Sequence, residues 1–97
     1  MKPVVVNPNI GFKQLEAEII GELTHNAEQQ SQARDQFIAK LQRKKRSMSD
    51  EDKGAFEIKA GQTPEAFIDE IRQLPIKQVA EWFTNHPGLG ELLDSKT

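Results

Sequence analysis

The sequence predicts a small all-α domain of five or six helices behind an extended N-terminal arm. Apolar residues recur at intervals of three and four through most of the chain, and proline and glycine stand where helices start and stop. The β-branched triplet Val4-Val5-Val6, a three-residue strand at most, has nothing in the chain to pair with. The last third of the chain, from Thr63-Pro64 to Leu92-Leu93-Asp94, shows this punctuation most clearly and contains no residue pattern of catalytic type.

Residues 1–8 read as the arm, because the β-branched triplet favours an extended chain and Pro8 holds its neighbours out of a helix. The arm could equally be the cut end of a longer chain. Asn9 is a candidate N-cap for a first helix whose stripe is Phe12, Leu15, Ile19, Ile20 and Leu23, ending near Thr24. A second helix runs from about Asn26 to Arg46. Its apolar stripe is thin (Ala27, Ala33, Phe37, Ile38, Leu41), and Glu28-Gln29-Gln30-Ser31-Gln32 is almost wholly polar. A helix of that composition is largely solvated or lies against something outside the chain.

Ser49 followed by Asp50-Glu51-Asp52 reads as the start of a third helix, with Ala55, Phe56 and Ile58 on its apolar side and Gly61 closing it. Thr63 as cap, Pro64 at the first helical position and Glu65 near the positive dipole end open a fourth, with Phe67, Ile68, Ile71 and Leu74 at helical spacing. Pro75 opens a fifth, striped by Ile76, Val79, Ala80 and Phe83 and flanked by Trp82. Asn85-His86-Pro87-Gly88 is a turn. Leu89, Leu92 and Leu93 make a last short helix, and the tail from Asp94 frays. The domain therefore spans residues 9–94 with a tail at 95–97: long amphipathic helices over 9–46, and a compact cluster over 49–94 in which Phe56, Phe67, Ile71, Val79 and Phe83 form the core.

Ninety-seven residues make one domain at most, and a domain this small has a thin stability margin. The apolar fraction is 36% and the charged fraction 29%, so the core has few residues to spare. With no cysteine there is no disulfide framework and no thiolate zinc site, which fits a cytoplasmic setting. The opening apolar run is too short for a signal peptide, and no stretch approaches the ~20 apolar residues of a membrane span.

Charge is unevenly divided. Residues 1–46 carry eight Lys/Arg against five Asp/Glu, and residues 47–97 carry five against ten. The basic half ends in Lys40 and Arg43-Lys44-Lys45-Arg46, placed to complement the negative end of the second helix's dipole. Such a run attracts phosphate backbones without reading sequence. It also fits a solvated helix end, or one paired with Asp50, Glu51 and Asp52. A helix-turn-helix reading of residues 76–94 fails, because its second helix would offer a DNA groove only acidic side chains. His25 and His86 have no zinc-type spacing, and neither a nucleophile motif nor a phosphate loop is present. No catalytic residue, cofactor or metal is expected.

Arg34-Asp35-Gln36-Phe37-Ile38-Ala39-Lys40-Leu41-Gln42-Arg43-Lys44-Lys45-Arg46, the acidic helix start after it, Thr63-Pro64-Glu65-Ala66-Phe67-Ile68, Ala80-Glu81-Trp82-Phe83, His86-Pro87 and Leu92-Leu93-Asp94 together resemble the C-terminal helical region of the motor (R) subunit of type I restriction enzymes. The similarity spans roughly residues 9–94 and rests on helix type and punctuation. In that family the region docks the motor onto the methyltransferase core, while nuclease and ATPase motifs lie in other domains and are absent here. The resemblance implies a non-catalytic assembly domain whose partners are other subunits of a restriction-modification complex. Residues 26–46 would then face the partner. Lys40, Arg43, Lys44, Lys45 and Arg46 would be electrostatic contacts, and Phe37 and Trp82 further contacts. Two other readings stand beside it: a small non-specific nucleic-acid-binding module using the basic run 40–46, and a free-standing regulator that binds a host protein.

Overall fold

The computed structural model describes residues 11–22 and 26–95. The Val4-Val5-Val6 arm, the Asn9 cap, Leu23, Thr24 and His25 lie outside them. Among the described residues the chain forms six helices and no strand: α1 (Phe12–Ile20), α2 (Ala27–Lys45), α3 (Asp50–Ala60), α4 (Pro64–Gln73), α5 (Ile76–Asn85) and α6 (Leu89–Ser95). The all-α expectation is met. Helix α2 packs on α1, α4 and α5; α1 also meets α5 and α6, and α3 bridges α4 and α6.

Local chemistry sets most helix ends. The Asn26 side chain accepts from the backbone N–H groups of Glu28 and Gln29 at 2.8 and 3.2 Å. Ser49 accepts from Asp52 at 3.2 Å, and Thr63 from Ala66 at 3.2 Å with Pro64 in the first turn. Gly61 closes α3 with φ 76°. Helix α1 stops at Ile20, short of Thr24, because Gly21 takes φ 92° and donates to the Ala17 and Glu18 carbonyls. The Glu22 N–H returns to Ala17 at 3.0 Å, completing a left-handed glycine termination.

Phe37 is the centre of the core. Its ring lies edge-on to Phe12, Phe83 and Phe67 at centroid distances of 5.0, 5.1 and 6.2 Å, and Phe67 extends the cluster to Phe56 at 5.5 Å. All five phenylalanines of the chain are therefore buried together. Edge-to-face pairs add about 0.5–1.5 kcal/mol each beyond the area they bury. Ile71, Val79 and Phe83 are buried as expected, as are Phe56 and Phe67. The thin stripe of α2 is enclosed within the domain from its second turn onward: Ala33, Phe37, Ile38 and Leu41 are all buried, while Ala27 at the first turn is exposed. A narrow stripe suffices because α1, α4 and α5 converge on it, so its large apolar residues need no cover from outside the chain. Ile58 is the converse case. It lies about 200° around α3 from Phe56, and so it points outward at 88% exposure while Ala60 takes the buried place.

The two outermost described helices close on each other through carboxylates. Helix α1 begins at Gly11 and α6 follows Gly88, and neither glycine has a side chain with which to cap. Asp94, on α6, accepts from the Phe12 and Lys13 backbone N–H groups at 2.8 and 2.9 Å. Glu16, on α1, accepts from the Gly90 N–H at 2.6 Å. Each helix thus supplies the other's N-terminal cap, which fixes α1 and α6 as an antiparallel pair in matched register. The expectation that the chain frays from Asp94 is corrected here, because that side chain holds the start of α1. The approach is close enough that a Cβ on Gly90 would stand 2.7 Å from the Phe12 carbonyl oxygen.

Glu16 is only 9% exposed. Burial raises its pKa above the ordinary 4.5; the Gly90 and Gly88 backbone groups lower it, Glu22 raises it further and Lys59 opposes the rise. With the folded-state pKa raised, the native chain binds the proton more tightly than the unfolded chain. The contribution of Glu16 is therefore fully present below the unfolded value and is lost as pH rises through the folded one.

Two outcomes are expected from urea unfolding. Phe37→Ala should cost about 3–5 kcal/mol, a large part of the roughly 5–15 kcal/mol available to a domain, whereas Ile58→Ser should stay within about 0.5 kcal/mol of wild type. Glu16→Gln keeps an acceptor for Gly90 but cannot ionise. Its stability relative to wild type should grow as pH rises from about 4 to about 7; a difference that stays flat or shrinks would refute the desolvated-carboxylate account.

Candidate functional site

The basic end of α2 takes its position from the core and the α1–α6 clasp. Phe12, held at its backbone by Asp94, presents its ring beneath Lys40, whose ammonium lies 5.3 Å from the ring centroid. A cation over an aromatic face gains about 0.5–1 kcal/mol at an exposed site, enough to favour one direction for this side chain. One turn further on, Arg43 is exposed and Lys44 is half-buried. The Lys44 carbonyl accepts from the Ser47 N–H and hydroxyl at 2.9 and 3.0 Å, which turns the chain out of the helix.

Lys45 reaches across to α4, its Nζ 3.7 Å from Glu65 Oε1. Lys45 is half-buried and Glu65 is exposed, so the pair keeps contact with water and is worth no more than about 1 kcal/mol. The described ion pair of the basic run is thus with Glu65. Asp50, Glu51 and Asp52 instead occupy the first turn of α3, where they complement its dipole. Arg46 is the C-cap of α2 and is exposed. Arg43 and Arg46, three residues apart on one side of the helix end, are the exposed cations of the basic run. Arg34 does a different job: it holds Asp35 at 3.0 Å and donates to the Leu74 carbonyl at 3.4 Å, tying α2 to the end of α4.

The two aromatic residues expected at a partner surface separate. Phe37 has no exposure and is withdrawn from that surface, because the convergence of three helices on α2 makes it the core's central ring. Trp82 is half-buried. Its indole stacks on the His86 ring at 4.1 Å and 13°, and packs against Phe67 at 4.8 Å and Phe83 at 5.2 Å. His86 Nδ1 lies 2.8 Å from the Trp82 carbonyl oxygen. The turn histidine therefore serves as a plate behind the tryptophan.

In front of Trp82 is a groove of about 320 Å³ lined by Glu70 and Leu74 of α4's end and by Gln78, Glu81, Trp82 and Asn85 of α5. The signal for it was present in the sequence: Gln78, Glu81, Trp82 and Asn85 fall at i, i+3, i+4 and i+7, a polar face with one aromatic in it.

Among the described residues, no three His, Asp or Glu side chains are grouped so as to hold a metal ion. No described helix is long and apolar enough to cross a membrane. Comparisons of the chain with protein-family models, with curated proteins and with solved structures find no match. The molecule is thus defined by its all-α fold and two contrasting surface features, a cationic helix end and an acidic groove.

Proposed function

We propose that the chain is a non-catalytic helical assembly domain that docks onto a larger complex through the basic end of α2. The observation that carries this reading is the division of labour along α2. Its large apolar residues, Phe37, Ile38 and Leu41, are consumed by the domain's own core, and Arg43 and Arg46 stand exposed at its end beside Lys40 and Lys44. A partner meeting α2 there meets charge, so the complementary surface is acidic. The resemblance to the C-terminal region of a type I restriction motor subunit supplies the specific form of the proposal. That partner is then the methyltransferase and specificity core of a restriction-modification complex, and the setting is the cytoplasm.

The same exposed arginines favour a second reading, contact with a nucleic-acid backbone. The two differ in salt dependence. Neutralising up to five phosphates gives a log–log salt slope of about −4 to −5, so duplex affinity would fall on the order of 10²–10³-fold between ~50 and ~200 mM salt.

The test is an NMR titration of the chain, first with a short random-sequence duplex at both salt concentrations, then with a purified methyltransferase core. The assembly reading predicts no duplex shifts at either salt, and shifts on α2 with the core that weaken at least about tenfold in R43E/R46E. Duplex shifts over residues 40–46 that vanish at the higher salt would replace it with the nucleic-acid reading. Silence with the core would remove the restriction-complex form.

A further inference from the structure

The groove before Trp82 lies apart from the basic run and has a different chemistry. Its apolar surface is Leu74 and the indole, and its charged groups are Glu70 on α4 and Glu81 on α5, both exposed. The ion pairs among the described residues, Arg34–Asp35 and Lys45–Glu65, use neither carboxylate. The walls are braced from behind. Gln62 Nε2 donates to Glu70 Oε1 at 2.9 Å, Arg34 holds the Leu74 carbonyl, and His86, Phe67 and Phe83 fix the indole. A braced groove loses little entropy when it is filled.

Its chemistry narrows the occupant. Two carboxylates with no third ligand make a poor metal site, and negative charge repels phosphate backbones and anionic membranes. An apolar stem ending in a broad planar cation matches both the apolar surface and the two carboxylates. Arginine is that side chain. Its guanidinium offers five donors in a fixed fork, able to reach carboxylates on two separate helices, and its stem covers apolar surface.

We propose that this groove receives an arginine-bearing segment of a partner protein, with the stem against Leu74 and Trp82 and the guanidinium between Glu70 and Glu81. The proposal does not depend on the role given to the end of α2.

Trp82 is the chain's single tryptophan and the chain has no tyrosine, so its emission reports on this groove alone. The intact chain is titrated with a short Gly/Ser peptide carrying one arginine, and with the same peptide carrying glutamine instead. A saturable change in emission is expected for the arginine peptide only. E70Q/E81Q, which keeps the polar contour and the Gln62 contact, should weaken it about five- to tenfold, while R43A/R46A should leave it unchanged. Equal responses to the two peptides, no saturable response, or undiminished binding by E70Q/E81Q would overturn the proposal. So would a peptide-free emission change that grows with protein concentration and disappears in R43A/R46A, since the occupant would then be the α2 end of a second copy.

Discussion

Two helices that begin at glycine cannot cap themselves, and the rest of the molecule is arranged around the solution to that problem. Asp94 and Glu16 exchange places as caps, each standing one turn along its own helix from the N–H groups that the other receives. The exchange joins segments about eighty residues apart and so opposes a substantial loop-closure entropy. It succeeds because glycine at positions 11 and 90 lets carboxylate and backbone approach without a Cβ between them. One of the two carboxylates is nearly enclosed, and its raised pKa is the electrostatic consequence of using a charged group as a cap inside the fold.

From that clasp the core follows. Anchoring α1 places Phe12 against Phe37 and beneath Lys40, and the edge-to-face series from Phe12 through Phe37, Phe67 and Phe83 reaches α4 and α5. A chain with a modest apolar fraction closes a core in this way by converging its few large rings on one helix. What the core leaves on the surface includes a cationic end of α2 where the stripe runs out, and an acidic groove where α4 turns into α5.

The parts of this structure that were legible in the sequence are those fixed by near neighbours. Ser49, Thr63-Pro64 and Gly61 announce helix ends because a cap's partner is two to four residues away, and the spacing of Phe67, Ile71, Val79 and Phe83 announces a buried face for the same reason. What was illegible depends on distant residues. Asp94 looks like a fraying tail unless one knows that α1 lies beside it. Phe37 looks like a residue in need of a partner unless one knows that three helices converge there. Ile58 is a simpler miss, since its angle around α3 already opposed it to Phe56. Gly21 likewise offered a stop signal that the continuing apolar stripe to Leu23 concealed. The basic run was visible from composition, but its ion pair with Glu65 was not.

The account rests most heavily on the reciprocal caps, and amide hydrogen exchange on the intact chain tests them directly. First-turn amides of an ordinary helix have no intrahelical acceptor and exchange readily. Here the Phe12, Lys13 and Gly90 amides should exchange as slowly as those of Val79 and Phe83, through the same global opening. Exchange of those three at unprotected rates, with the α5 amides still protected, would mean that α6 does not clasp α1 in solution and would contradict the central claim.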